Sequence, residues 1–163
     1  MRLFIGTFVQ IPEFVSLKNS FSFLEAKWTK RSNLHITWLF LGKADPKAII
    51  EALHGIDYQK DPIPIKGLGF FGSPPKILYA KAGSTRLSKL HDDICKRLDF
   101  EDDRPFIPHI TLARIKKIKD QDRFIKQIRR FEHKSLGLLI PKIELINSTL
   151  TPQGPIYERI ATF

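Results

Sequence analysis

The sequence predicts an α+β fold with antiparallel pairing rather than a doubly wound parallel sheet. Three observations lead there. Strand-like and helix-like segments are mixed along the chain, and several strand segments are joined by turns too short for a parallel crossover. No Gly-rich loop links a strand to a helix, which argues against a P-loop or Rossmann-type nucleotide site. One pattern, His-x-Thr within an apolar segment, occurs once in each half, at 35–37 and 109–111. With 163 residues and no linker, the chain is expected to form one domain, or two small lobes sharing one core.

Residues 2–9 are apolar and β-prone, a first strand rather than a signal peptide. After Pro12, the spacing of Phe14, Leu17, Phe21 and Leu24 predicts one helix face, followed by a basic, polar stretch from Lys27 to Asn33 around Trp28. Leu34–Leu41 reads as a strand ended by Gly42. Asp45-Pro46 opens a helix with Ile49, Ile50 and Leu53 inside, closed by Gly55. Pro62–Gly72 is expected to be extended with kinks at Gly67 and Gly69, then a Ser73-Pro74-Pro75 turn and a hairpin partner, Lys76–Lys81. Ser84–Leu98 is an amphipathic helix burying Leu87, Leu90, Ile94 and Leu98. An acidic loop, Glu101–Arg104, leads to a strand over Phe106–Ala113. Lys116–Arg130 reads as a basic helix with Phe124, Ile125 and Ile128 on its apolar side. Leu136–Leu150 and Ile156–Phe163 form a closing hairpin around Thr151–Pro155.

The composition is 42% apolar and 27% charged, which excludes wholesale disorder. The single cysteine, Cys95, excludes an internal disulfide framework and a Cys-rich zinc module, and points to the cytoplasm. No apolar run is long enough to span a bilayer, so no membrane partner is expected. The net charge of +10 favours a polyanionic partner such as nucleic acid or a nucleotide.

Residues two apart on a strand share a face, so His35 and Thr37 project together, as do His109 and Thr111. If a pseudo-two-fold relates the halves, the pairs can meet across a groove. Two imidazoles near neutral pKa, on opposite sides of a phosphorus atom, suit in-line displacement: one activates the attacking hydroxyl or water, the other protonates the leaving oxygen. The threonine hydroxyls can donate to the non-bridging oxygens. No metal or other cofactor is called for, since hydroxyls are poor zinc ligands and neither His has a carboxylate or thiol at ligand spacing. The natural substrate would be a phosphodiester with favourable internal geometry, such as a ribose 2′,3′-cyclic phosphate.

These segments resemble the two-histidine phosphoesterases, and most closely their RNA 2′,3′-cyclic phosphodiesterase branch, also called 2′-5′ RNA ligases. The opening MRLFIGTFV, Asn33–Thr37 with Phe40-Leu41-Gly42, Gly67–Phe71 with the Pro-Pro turn, Phe106–Arg114, and Ser148–Leu150 through Gly154–Glu158 carry the resemblance along nearly the whole chain. It implies one domain over 1–163 made of two intertwined lobes. These would be duplicated antiparallel sheets flanked by helices, with a pseudo-two-fold and a central basic cleft. It implies hydrolysis of RNA 2′,3′-cyclic phosphate ends to 2′-phosphates, with reversible 2′-5′ joining in some members. It makes His35 the proton donor and His109 the proton acceptor, roles the residues themselves do not distinguish. It suggests that Arg114 holds phosphate, although an unbroken strand would point a residue five after His109 away from the cleft; a bulge, a twist or the end of the strand would bring it back. Where the family has a Pro-Glu-like pair before the first signature, this chain has Lys30-Arg31-Ser32, a more basic approach.

Phe106 and Tyr157 are candidates for stacking on a base, with core packing the other reading of Phe106. The basic stretch Lys116–Arg130 reads first as a solvated face and otherwise as an RNA track. His91 and Cys95, one helical turn apart, read as a histidine on the helix flank and a small core thiol rather than a metal pair; His54 and His133 receive no role. The expected partner is RNA with a 2′,3′-cyclic phosphate or a 2′-5′ linkage, bound by a monomer. The rivals are a non-catalytic module that recognises RNA ends, favoured by tight salt-sensitive binding without turnover, and a phosphodiesterase for small cyclic-phosphate nucleotides or 2′-5′ oligonucleotides, favoured by indifference to chain length.

Overall fold

A computed structural model describes residues 2–163. Ten strands and four α-helices follow in the order β1 (Arg2–Phe8), α1 (Phe14–Asn19), β2 (Leu24–Trp28), β3 (His35–Gly42), α2 (Pro46–Leu53), β4 (Ile63–Lys66), β5 (Leu68–Phe71), β6 (Ile77–Lys81), α3 (Thr85–Arg97), β7 (His109–Ile118), α4 (Gln121–Arg130), β8 (Ser135–Leu139), β9 (Glu144–Thr151) and β10 (Gly154–Thr162). All pairings are antiparallel. Eight strands form one sheet, in the order β10-β9-β1-β3-β7-β6-β5 with β2 also on β7, and β4 and β8 form a separate ribbon. The α+β expectation holds.

The helices start where the chain offers caps. The Asp45, Ser84 and Asp120 side chains accept from the backbone N–H groups of Lys47, Arg86 and Arg123. Leu87, Leu90 and Ile94 of α3 bury the face its spacing predicts. Gly67 separates β4 from β5 with φ +84, and a Cβ there would lie 2.8 Å from the Glu132 carbonyl oxygen, so the chain can switch sheets at that point.

β3 and β7, the strands that carry the two His-x-Thr patterns, meet at a single pairing, Ile36 opposite Ile110. On either side the halves repeat one another. Gly6 pairs with Thr37 and Ile5 with Leu39, leaving Trp38 as an extra residue; Tyr79 pairs with Thr111 and Leu78 with Ala113, leaving Leu112 extra. Both strands therefore bulge one residue after the threonine. Burial repeats too: 35–40 and 109–114 each run half-buried, buried, half-buried, buried, buried, exposed. Trp38 is 2% exposed, and its indole N–H donates to the Thr7 hydroxyl at 2.8 Å. Thr29 secures the other bulge, its N–H reaching the Leu112 carbonyl and its hydroxyl the Thr111 carbonyl, each at 2.9 Å.

Four sequence readings need correction. The first helix ends at Asn19, and Leu24–Trp28 is a strand, so Phe21 fills the turn between them rather than a helix face. The strand expected over 106–113 begins at His109 and runs on to Ile118, so Lys116 and Lys117 are strand residues and the basic helix covers only 121–130. The helical look of Ile115-Lys116-Lys117-Ile118 comes from a second bulge, where Glu25 pairs with Lys117 and Ala26 with Ile115. Ile125, expected on the apolar side of that helix, is exposed. Finally, 136–150 is two strands broken around Pro141: β8 joins β4, and only β9 forms the closing hairpin with β10.

Candidate active site

His35, Thr37, His109 and Thr111 lie on one face of the central β3–β7 pair, opposite the fully buried Ile36 and Ile110. The Ile36–Ile110 register sets His35 beside Thr111 and Thr37 beside His109. The two His-x-Thr pairs thus form a compact square where the halves join. The His109 imidazole is close enough to disfavour the protonated form of His35.

Each imidazole is held in the same way. Nδ1 of His35 lies 2.7 Å from the Asn33 carbonyl oxygen, and Nδ1 of His109 lies 2.7 Å from that of Ile107. A carbonyl only accepts, so in each ring Nδ1 carries the proton and the neutral ring keeps its lone pair on Nε2. Both Nε2 atoms are therefore available for proton transfer.

Aromatic rings wall in the imidazoles. Tyr157 meets His35 edge-on at 5.1 Å, with Phe4 at 5.1 Å and Phe8 at 6.0 Å. Phe71 meets His109 edge-on at 4.9 Å, with Tyr79 at 5.6 Å. Gly69 makes room for the second wall: a Cβ there would sit 2.6 Å from the Tyr79 ring. Behind the first, Arg159 lies over Phe8 and is held at 2.9 Å by the buried Glu144 carboxylate. Asn33 donates to the Pro155 carbonyl at 3.1 Å, anchoring the hairpin that carries Tyr157.

Burial pulls the His35 pKa below its ordinary value; its backbone hydrogen bond to Asn33 partly offsets this, and the second imidazole pulls the same way as burial. A folded-state pKa below the unfolded one means that the unfolded chain binds more protons as pH falls. His35 thus contributes stability that is present above pH ~6.5 and lost as pH drops through its folded pKa. Denaturant midpoints at pH 5 and pH 7.5 are expected to differ less in His35→Gln than in the wild type. An equal difference would show that His35 is not the titrating group.

Arg114 is exposed beyond the bulge at Leu112, which returns it to the face of His109 and Thr111. Its charge is felt by Tyr157, whose phenol is pushed up by burial and pulled back by Arg114. Tyr157 also stands on this face. Phe106, proposed from sequence as a base-stacking residue, packs elsewhere: its ring stacks on the buried His91 at 4.3 Å and on Trp38 at 6.0 Å, on the opposite face of β3. Core packing has claimed that ring, and His91, expected on a helix flank, is buried with it.

Sequence reasoning missed Phe4, Phe8, Phe71 and Tyr79 as site residues. All four lie in segments whose pattern predicts only strands, because which aromatic rings gather around an imidazole depends on register between strands. Among the described residues, no three His, Cys, Asp or Glu side chains gather to share a metal ion.

Comparison with known proteins identifies the family. Residues 13–148 match the family described as the 2′-5′ RNA ligase superfamily. The chain is 32% identical to a Methanocaldococcus jannaschii protein named RNA 2′,3′-cyclic phosphodiesterase, over 98% of each. It is 31% identical to an Archaeoglobus fulgidus protein of the same name, over 100% of this chain and 99% of the other. The crystal structure of E. coli LigT complexed with 3′-AMP superposes with a TM-score of 0.74, covering 99% of this chain and 96% of that one at 16% identity.

Proposed function

The chain belongs to the 2′-5′ RNA ligase superfamily, and on that footing we propose that it is an RNA 2′,3′-cyclic phosphodiesterase in which His35 and His109 act as general acid and general base. The observation that carries this reading is the square of two imidazoles and two hydroxyls on one sheet face, each imidazole with its Nε2 free.

The reaction balances on these groups. Nε2 of His109 takes a proton from water, and the water oxygen bonds to phosphorus as the P–O3′ bond breaks in line. Nε2 of His35 gives its proton to the departing O3′, leaving a 3′-hydroxyl and a 2′-phosphate. The Thr37 and Thr111 hydroxyls donate to the non-bridging oxygens, and Arg114 balances their growing charge. The low pKa of His35 suits a donor that is charged only when needed: in the empty cleft the ring tends to neutrality, and the bound phosphodiester anion draws a proton onto it. In the same direction, a 5′-hydroxyl standing in for water would give its proton to His109 and bond to phosphorus as the P–O3′ bond breaks, with O3′ leaving as a hydroxyl, which would give 2′-5′ joining.

The test is a short RNA ending in a 2′,3′-cyclic phosphate, incubated with the protein in EDTA, with the product end mapped. A 2′-phosphate from the wild type and none from a His35→Ala/His109→Ala protein is expected. A 3′-phosphate, or turnover by the double variant at the wild-type rate, would overturn the mechanism.

A further inference from the structure

The two halves share a backbone pattern but not its charge. At equivalent positions, two residues past the extra residues Leu112 and Trp38, β7 carries Arg114 and β3 carries Phe40. Lys27 of β2 pairs directly with Arg114, and both are exposed on the face of the His-x-Thr square. Further along, Glu25 pairs with Lys117, and the bulge leaves Lys116 exposed beside it. Among the described residues, the head groups of Lys27, Arg114, Lys116 and Lys117 make no ion pair or hydrogen bond, so Glu25 is the one carboxylate within this cationic strip. From Thr111 to Lys117 the strip runs about 20 Å at strand rise.

The other end of β7 has the opposite sign. The segment before it holds Asp99, Glu101, Asp102 and Asp103 against Arg104 alone. His91 and Arg104 lie at 3.5 and 3.6 Å from Asp102, leaving the other three carboxylates without partners of that kind. A polyanion seated at the square is therefore drawn toward β2.

We propose that the RNA body attached to the cyclic phosphate lies along the β2–β7 pair, with its backbone phosphates over Lys27 and Lys117, and leaves the site away from the acidic loop. This rests on the phosphodiesterase reading above and adds a direction and a length preference to it. The aromatic side around Phe4, Phe40 and Tyr157 is left for the terminal nucleoside.

Two substrates separate the proposal from the reading beneath it: a 2′,3′-cyclic mononucleotide and a single-stranded oligonucleotide with the same cyclic end. The wild type is expected to prefer the oligonucleotide in kcat/KM, with a preference that fades as salt rises. In Lys27→Gln/Lys117→Gln the ratio of the two kcat/KM values is expected to fall about 5–10-fold at low salt, with the log–log salt slope shallower by about 0.7 per lysine. Lys126→Gln/Arg129→Gln, the same charge change on exposed residues of α4, is expected to leave ratio and slope in place. An unchanged ratio in the β2–β7 variant, an equal loss in the α4 variant, or a wild type that prefers the mononucleotide would each overturn the track. Turnover of neither substrate would bring down the phosphodiesterase reading itself, and the track with it.

Discussion

His35→Ala or His109→Ala, alone, lowers kcat/KM for a cyclic-phosphate RNA end by about 10²–10⁴-fold, the usual worth of a positioned acid or base. Combining the two is expected to cost far less than the product of the single losses, because each ring does useful work only while the other is present. Both side chains are half-buried on the outer face of the β3–β7 pair rather than in the main core, so the variants should remain folded. Steady-state rates alongside circular dichroism melts check this. A single variant within tenfold of wild type and fully folded would remove that histidine from the mechanism.

Trp38→Ala is expected to cost about 3–5 kcal/mol of stability, read as a drop in denaturant midpoint at unchanged slope. The indole is one of the largest fully buried side chains, it occupies the bulge that sets the register of β3 against β1, and its N–H bonds to Thr7. Trp38→Phe keeps the ring and loses the hydrogen bond, at about 1–3 kcal/mol. At temperatures where Trp38→Ala remains folded, its turnover is expected to persist, because the tryptophan faces away from the imidazoles. A smaller cost than that of Trp38→Phe would mean that the cavity closes.

Much of this site could be read along the chain because its chemistry is local. His35-x-Thr37 and His109-x-Thr111 share a face by strand periodicity alone, and their recurrence in each half pointed to the pairing. The helices announced their starts through Asp45, Ser84 and Asp120. What escaped was decided at a distance. Leu24–Trp28 gave no strand signal because it forms only against β7, with Lys and Glu on one face and Trp28 turned to the core. Lys116-Lys117 looked helical because a bulge mimics helical spacing. The orientation of Arg114 was an open question until the pairing with β6 showed an extra residue at Leu112. Phe106 sits two residues before Pro108 in the second signature, yet its ring was already taken by His91 and Trp38.

The groups that orient both imidazoles are main-chain oxygens, those of Asn33 and Ile107. A carboxylate in that place could be deleted by a single substitution; a carbonyl is present whatever side chain position 33 or 107 bears. Ring orientation here is thus insured against point mutation, and a saturation scan would find it tolerant at 107, whose side chain is half in solvent, and limited at 33 by the Asn33–Pro155 bond. A neutral dipole also adds no second negative charge behind the ring. Neither imidazole is thereby committed to holding its proton, and a pair that must exchange acid and base duties when a reaction runs backwards depends on that freedom.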